Sequence, residues 1–426
     1  MKEDLMNTLK DKILAAAVQV QNNIYMKAIA NAMMGLMPVM MISSIASLIN
    51  AIDIGATQQI MEQIGLKALL TQVNAMTIDV VSVYVAFLVG YKLAEHLNAD
   101  QLNAGIMSLV SFLILSPIST LEETRTMELS TLGSGGMFVA MFGGLLGARI
   151  YILCVQKNLM IKMPDSVPPI VNKSFAAIVP AIIVSAIMGI IYVGMAATPY
   201  GTLTDMIYTW VQAPLTLLGA NIFACMIIVA FIEFLWFFGI HGVLAVYPIL
   251  MLVFYQPGLD NLAAYSAGQA LPHLFTIGFI LNNRGARSFA VALLAIFGCK
   301  SEQLKAVGKI GLIPSMFGIS EPIKFGIPQV MNIRMLLPLM LTPAVSVLSA
   351  YLLTIVGFLP YHNGVNIPTG FPIIFGGFLV NGWQGIIAQL IQFVLCIIIY
   401  IPFMRLQDKA ALAEEKNLQT QAAVVE

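Results

Sequence analysis

The chain is predicted to be an all-α polytopic membrane protein with about ten transmembrane helices, plus re-entrant segments and amphipathic interfacial helices. Three observations lead there. Of 426 residues, 59% are hydrophobic and 10% charged, and the mean hydropathy is +0.88. A soluble domain carries about a quarter charged residues, a gap too wide for a larger core to explain, so lipid is the expected solvent. Apolar runs of spanning length recur along the chain, and lysine and arginine gather in alternate connections. The net charge of zero argues against nucleic acid as a partner.

The elements follow in order. Residues 1–27 are charged and amphipathic, without the compact apolar region and small-residue cleavage site of a signal peptide. A spanning helix needs about 20 mostly apolar residues. Runs at 28–49, 77–93, 101–118, 137–156, 175–197, 221–240, 330–357 and 383–404 qualify, with shorter candidates at 243–255 and 288–299. The connection 158–175 is polar and held extended by Pro164, Pro168 and Pro169. Residues 200–219 mix Thr, Asp and Gln with aromatics and suit a linking amphipathic helix. From 270 to 328 the apolar runs are short and broken by Pro, Gly, Asn and Arg, as expected of re-entrant backbone lining a site. The expected divisions are therefore the 1–27 amphipathic N-terminus, a 28–199 membrane segment, a 200–219 link, a 220–404 segment holding the re-entrant backbone and a 405–426 tail.

Orientation follows the positive-inside rule. Lys2, Lys10, Lys12 and Lys27 precede the first span, while Arg149, Lys157, Lys162 and Lys173 surround one connection. Lys300, Lys305 and Lys309 form a third group, and Arg405, Lys409 and Lys416 follow the last span. Segments 50–76 and 358–382 carry almost none. Both termini are expected in the cytoplasm, which requires an even number of spans.

A carboxylate inside lipid costs roughly 2.5–3.5 kcal/mol on insertion scales, so it marks a substrate or ion path. Three groups attract attention. In "GISEPIKFG" Glu321 sits beside Pro322, between Gly318 and Gly326, where the helix should break and free main-chain groups for a ligand. The alternative is a structural ion pair with Lys324. In "EFLWFFGIHG" His241 follows Trp236, Phe237 and Phe238, as in carbohydrate sites, or simply faces headgroups. Glu233 is either a supporting partner or a buried, protonated acid. Asn282, Asn283, Arg284 and Arg287 form a binding group or a surface turn. His96 and His273 read as structural or solvated. The four cysteines, Cys154, Cys225, Cys299 and Cys396, show no metal spacing, and "LGSGG" (132–136) lacks the context of a phosphate loop. No metal site is expected.

Together "SFLILSPIS" (111–119), "IKMPDSVPP" (161–169), "LWFFGIHG" (235–242) and "ISEPIKFGIPQVMN" (319–332) resemble the membrane subunit IIC of the bacterial phosphoenolpyruvate-dependent sugar phosphotransferase system (PTS), in its lactose/cellobiose/diacetylchitobiose branch. The blocks occur in family order along nearly the whole chain. The resemblance implies a homodimeric permease of the bacterial cytoplasmic membrane with two re-entrant hairpins per chain. It implies uptake of a sugar, cellobiose-like β-disaccharides leading, with phosphorylation by the phosphocysteine of a separate IIB protein fed by IIA. It implies that Glu321 and His241 act at the hydroxyl to be phosphorylated. It implies that Trp236 helps form the sugar pocket and that no cofactor is held; Asn282, Asn283 and Ser320, where the chain departs from the family pattern, are expected as further substrate-binding groups.

Departures from the family pattern are equally visible. "FGISEP" stands where the family reads FNINEP, "LNNRGARS" (281–288) replaces a GGSG-like stretch, and "IPTGFP" (367–372) lacks the tryptophan of a PWTTPP-like run. The competing readings are a proton- or ion-coupled secondary transporter using Glu321 and Glu233, and a non-transporting membrane regulator.

Overall fold

The computed structural model describes residues 23–50, 56–121, 124–161, 163–164, 168–212, 221–239, 241–367 and 371–425. The expected N-terminal amphipathic segment therefore lies almost wholly outside the described residues, as do 213–219 of the linking segment and 368–370 of "IPTGFP".

Two compact units divide the chain. The first comprises residues 1–218 and 247–270. It begins with α1 (Ile24–Gly35) and α2 (Met37–Asn50), apolar helices bent by 41° at their junction. Pro38, which lacks an amide donor, opens α2 and accounts for the bend. There follow α3 (Thr57–Gln63), α4 (Leu66–Ala75), α5 (Val81–His96) and α6 (Gln101–Leu115). A small antiparallel ladder joins β1 (Ser119–Leu121) to β2 (Thr124–Thr126). Then come α7 (Leu129–Leu132), α8 (Met137–Gln156), α9 (Pro169–Ala196) and α10 (Leu203–Ile207). Gly90, Gly144 and Gly147 press against Ser108 and Ser111, so α5, α6 and α8 pack through small residues, as helices in lipid do.

The second unit comprises 219–246 and 271–426. It starts with α11 (Ile222–Phe237) and the first half of α12 (Gly242–Leu250). A π-helical turn at Met251–Tyr255 leads from α12 into α13 (Gln256–Ser266), which belongs to the first unit. The expected uninterrupted 220–404 segment is thus broken by 247–270. Polar pairing explains it: the Ser266 hydroxyl lies 2.5 Å from that of Ser47, and Asn50 donates to the Ser266 carbonyl. The second unit resumes with α14 (Ile277–Asn282), α15 (Arg287–Gly298), α16 (Glu302–Met316) and α17 (Glu321–Gly326). It ends with α18 (Ile333–Ile355), α19 (Phe375–Asn381) and α20 (Trp383–Val425).

Among the described residues five helices are long and apolar enough to cross a membrane, or six with the bent α1–α2 pair. The other expected spans are present as shorter helices: α5 and α11 have 16 residues, α6 has 15 and α15 has 12. At about 1.5 Å per residue, these fall short of a hydrocarbon core about 30 Å thick. The linking segment is also less regular than expected, α10 giving way to a π turn at Tyr208–Gln212. By contrast, α20 runs through the expected tail as one helix of 43 residues.

Beneath the candidate site lies the core of the second unit. Val291, Ala295, Leu304, Ile323, Met335, Leu339 and Tyr400 are buried together there. Ile323 anchors the short α17 in that core, which leaves Glu321 and Phe325 turned outward.

Candidate functional site

Two glycines shape the backbone that carries Glu321 and His241. Helix α16 ends in a Schellman motif: Ile319 N–H donates to the Pro314 carbonyl and Gly318 N–H to that of Ser315. Gly318 has φ +76°, a left-handed conformation that costs a side-chain-bearing residue. The chain then reverses into α17, with Pro322 in the first turn where no donor is needed. On the other side, a Cβ at Gly242 would collide with the Ile232 carbonyl oxygen. Glycine there lets α12 begin hard against α11, which holds His241 over Trp236.

His241 Nε2 stands 3.7 Å from Glu321 Oε1, and the two side chains are 38% and 44% exposed. That gap exceeds a hydrogen bond, yet one hydroxyl oxygen can lie within reach of both groups. His241 Nδ1 accepts from the Leu244 amide at 3.3 Å, which leaves Nε2 facing the glutamate. The imidazole rests on Trp236, ring centres 4.7 Å apart.

Below this pair the polar groups are buried. Glu233 is 1% exposed and accepts from Lys324 Nζ at 2.7 Å, while Arg287 Nη1 approaches its other oxygen at 2.8 Å. The Arg287 contact is ionic: neither Glu233 Oε1 nor Arg287 Nη1 has a hydrogen-bond partner. Glu233 is thus not the lone protonated acid considered above, because two cations flank it. Nor does Lys324 pair with Glu321; it pairs with Glu233. Trp236 is 4% exposed, with the Lys324 ammonium 4.1 Å from its ring centre and Phe325 edge-on. The ring has no open face for a sugar, so the expected direct contact becomes support for His241.

The other expected pocket residues separate. Asn282 is half-buried and 3.0 Å from His362 Nε2. Asn283 is buried and committed at both ends, donating to the Phe279 carbonyl and accepting from Gln392 Nε2. It holds α14 to α20 and is not available to a ligand. Ser320 is half-buried before α17; its hydroxyl caps no amide, and its carbonyl accepts from Lys324 N–H. Arg284 donates to the Leu281 carbonyl and closes its own turn.

Sequence reasoning passed over His362 and Gln389. His362 is 2% exposed, and Gln389 accepts from the Ile374 amide while donating to the Asn282 carbonyl at 3.4 Å. The signal was present in "YHNGVN" (361–366), a polar run between two apolar spans. The segment after it meets the glutamate turn, with Ile373 N–H donating to the Met316 carbonyl. Among the described residues no cluster of three or more His, Cys, Asp or Glu is placed to hold a metal ion.

This arrangement can hold one hydroxyl between an imidazole and a carboxylate, over a floor of paired charges. Comparison with known proteins identifies the family. The family profile described as "Phosphotransferase system, EIIC" matches residues 30–343. The oligo-beta-mannoside-specific EIIC component of Bacillus subtilis is 37% identical over 360 residues, 82% of this chain and 81% of that protein. The lichenan permease IIC component of the same organism is 32% identical, covering 96% and 95%. The crystal structure of the transporter ChbC, the IIC component of the N,N'-diacetylchitobiose-specific system, superposes with a TM-score of 0.89 at 30% identity, covering 96% of this chain and 99% of that one. The chain belongs to the phosphotransferase-system EIIC family, as a sugar permease IIC component that works in the membrane with the other components of its system.

Proposed function

We propose that the chain takes up a β-linked disaccharide and presents one of its hydroxyls to phospho-IIB, with Glu321 and His241 holding that hydroxyl. The 3.7 Å separation of the two exposed groups, in a site otherwise buried, carries the reading. Its relatives' names supply the sugar class: oligo-β-mannoside and lichenan are β-linked saccharides. Glu321 orients the hydroxyl and accepts its proton as the phosphorus–oxygen bond forms; His241 fixes the oxygen by hydrogen bonding. The phosphoryl group leaves the IIB phosphocysteine, so this chain needs no cofactor. A homodimer with cytoplasmic termini is the assembly the same reading favours, with the second unit as the moving, sugar-carrying part.

Proteoliposomes loaded with phospho-IIB and given labelled cellobiose test it. The expected result is labelled sugar phosphate inside the vesicles. Glu321→Gln is expected to abolish that product while sugar binding persists. Unmodified sugar accumulating under a proton gradient, without phospho-IIB, would overturn the reading in favour of a coupled secondary transporter.

A further inference from the structure

Glu321 sits on a helix of six residues, α17. One turn and a half of helix has too few internal hydrogen bonds to hold itself in place, so its position depends on what its side chains grip. Ile323 grips the apolar core. Lys324 grips Glu233 at 2.7 Å and lies over the Trp236 ring. Glu233 and Trp236 are three positions apart on α11 and so share a face. On that same ring rests His241. Through one lysine, therefore, the element bearing Glu321 is tied to the element supporting His241, and Glu233 is the anion that keeps the lysine there.

We propose that Glu233 is a positioning residue for the Glu321–His241 pair: acting through Lys324, it sets the gap in which the acceptor hydroxyl is held. This rests on the phosphorylation reading above. At 1% exposure Glu233 itself has no path to the sugar. Packing alone does not call for a carboxylate here, since apolar residues of similar volume often replace a whole buried ion pair without loss of stability. Its removal alone leaves Lys324 and Arg287 as neighbouring cations without a counter-ion, and they repel. Lys324 then shifts off Trp236, and Glu321 moves with it.

The test compares full-length wild type with Glu233→Gln in the phospho-IIB proteoliposome assay, alongside calorimetric sugar binding. A 1 Å misplacement can cost about a hundredfold in rate. Turnover is accordingly expected to fall by about tenfold or more, with the sugar Kd within about threefold of wild type. The double variant Glu233→Gln/Lys324→Gln is expected to lose no more than the single one, because both act through one contact. Unchanged turnover, or Kd and turnover worsening by the same factor, overturns the proposal. If Glu233→Gln does not fold, Trp236→Phe decides: a folded variant with full turnover refutes the tie through the ring, and a turnover loss at unchanged Kd supports it. A wild-type protein that makes no sugar phosphate overturns the underlying reading itself, and is distinguishable because it fails before any variant is compared.

Discussion

His362 anchors the side chain of Asn282, its Nε2 lying 3.0 Å from Asn282 Nδ2. Its Nδ1 accepts the Gly364 amide proton at 3.0 Å. The ring is thereby fixed to the backbone on one side and holds the half-buried Asn282 amide in one orientation on the other. Replacing His362 by Ala frees the amide to rotate. Sugar affinity is expected to weaken by about fivefold, close to 1 kcal/mol for one hydrogen bond, in calorimetric titration with cellobiose. An unchanged Kd would show that Asn282 does not contact the sugar.

His241→Ala removes one of the two groups holding the acceptor hydroxyl and opens space over Trp236. The expected outcome is a sugar Kd about tenfold higher, or ~1.4 kcal/mol, together with slower phosphorylation. Isothermal titration and the vesicle assay measure the two effects separately. Wild-type affinity in this variant would return His241 to a purely structural position.

Gly318 offers a test of backbone against side chain. Its φ of +76° lies where asparagine is the best tolerated alternative to glycine, and no heavy atom lies within 4 Å of a Cβ placed there. Gly318→Asn is expected to keep transport and thermal stability near wild type. Gly318→Val should lower stability by about 1–2 kcal/mol, seen as a depressed Tm, and slow phosphorylation by moving Glu321. Equal behaviour of the two variants would mean that the turn is not held left-handed.

At the far end of α16, Asp408 accepts the amide protons of Lys300 and Ser301, both at 2.8 Å, and Glu415 accepts from Ser301 Oγ and the Gln303 amide. Carboxylates on the free amides of a helix N-terminus are stabilising. Asp408→Ala should cost about 1–2 kcal/mol, measurable as a lower Tm in detergent. A Tm within error of wild type would show that α20 does not secure α16.

Several features could be read directly from the sequence because one residue type forces one outcome. Apolar runs of spanning length with few charges point to helices in lipid, and Gly318 followed by Pro322 marks where one helix stops and the next begins. The partner of Glu233 was not legible, since three lysines and arginines lay within plausible reach and only packing selects Lys324 and Arg287. Asn283 misled for the opposite reason: an amide in a broken apolar region looks like a ligand group until Gln392 consumes it from a distant helix. His362 escaped notice because its partner, Asn282, is 80 positions away. Gly318, where the family pattern has Asn, occupies a left-handed position that both residues tolerate.

The buried charge on α11 also bears on how the chain is made. Glu233 enters the bilayer on an otherwise apolar helix, at a cost of roughly 2.5–3.5 kcal/mol, before either cation has been synthesised. Lys324 follows 91 positions later. Until α15 and α17 arrive, α11 waits in lipid with its carboxylate unsatisfied. Stable residence of that helix is thus completed from downstream, and a nascent chain cut off before Arg287 holds α11 less firmly than the finished protein does.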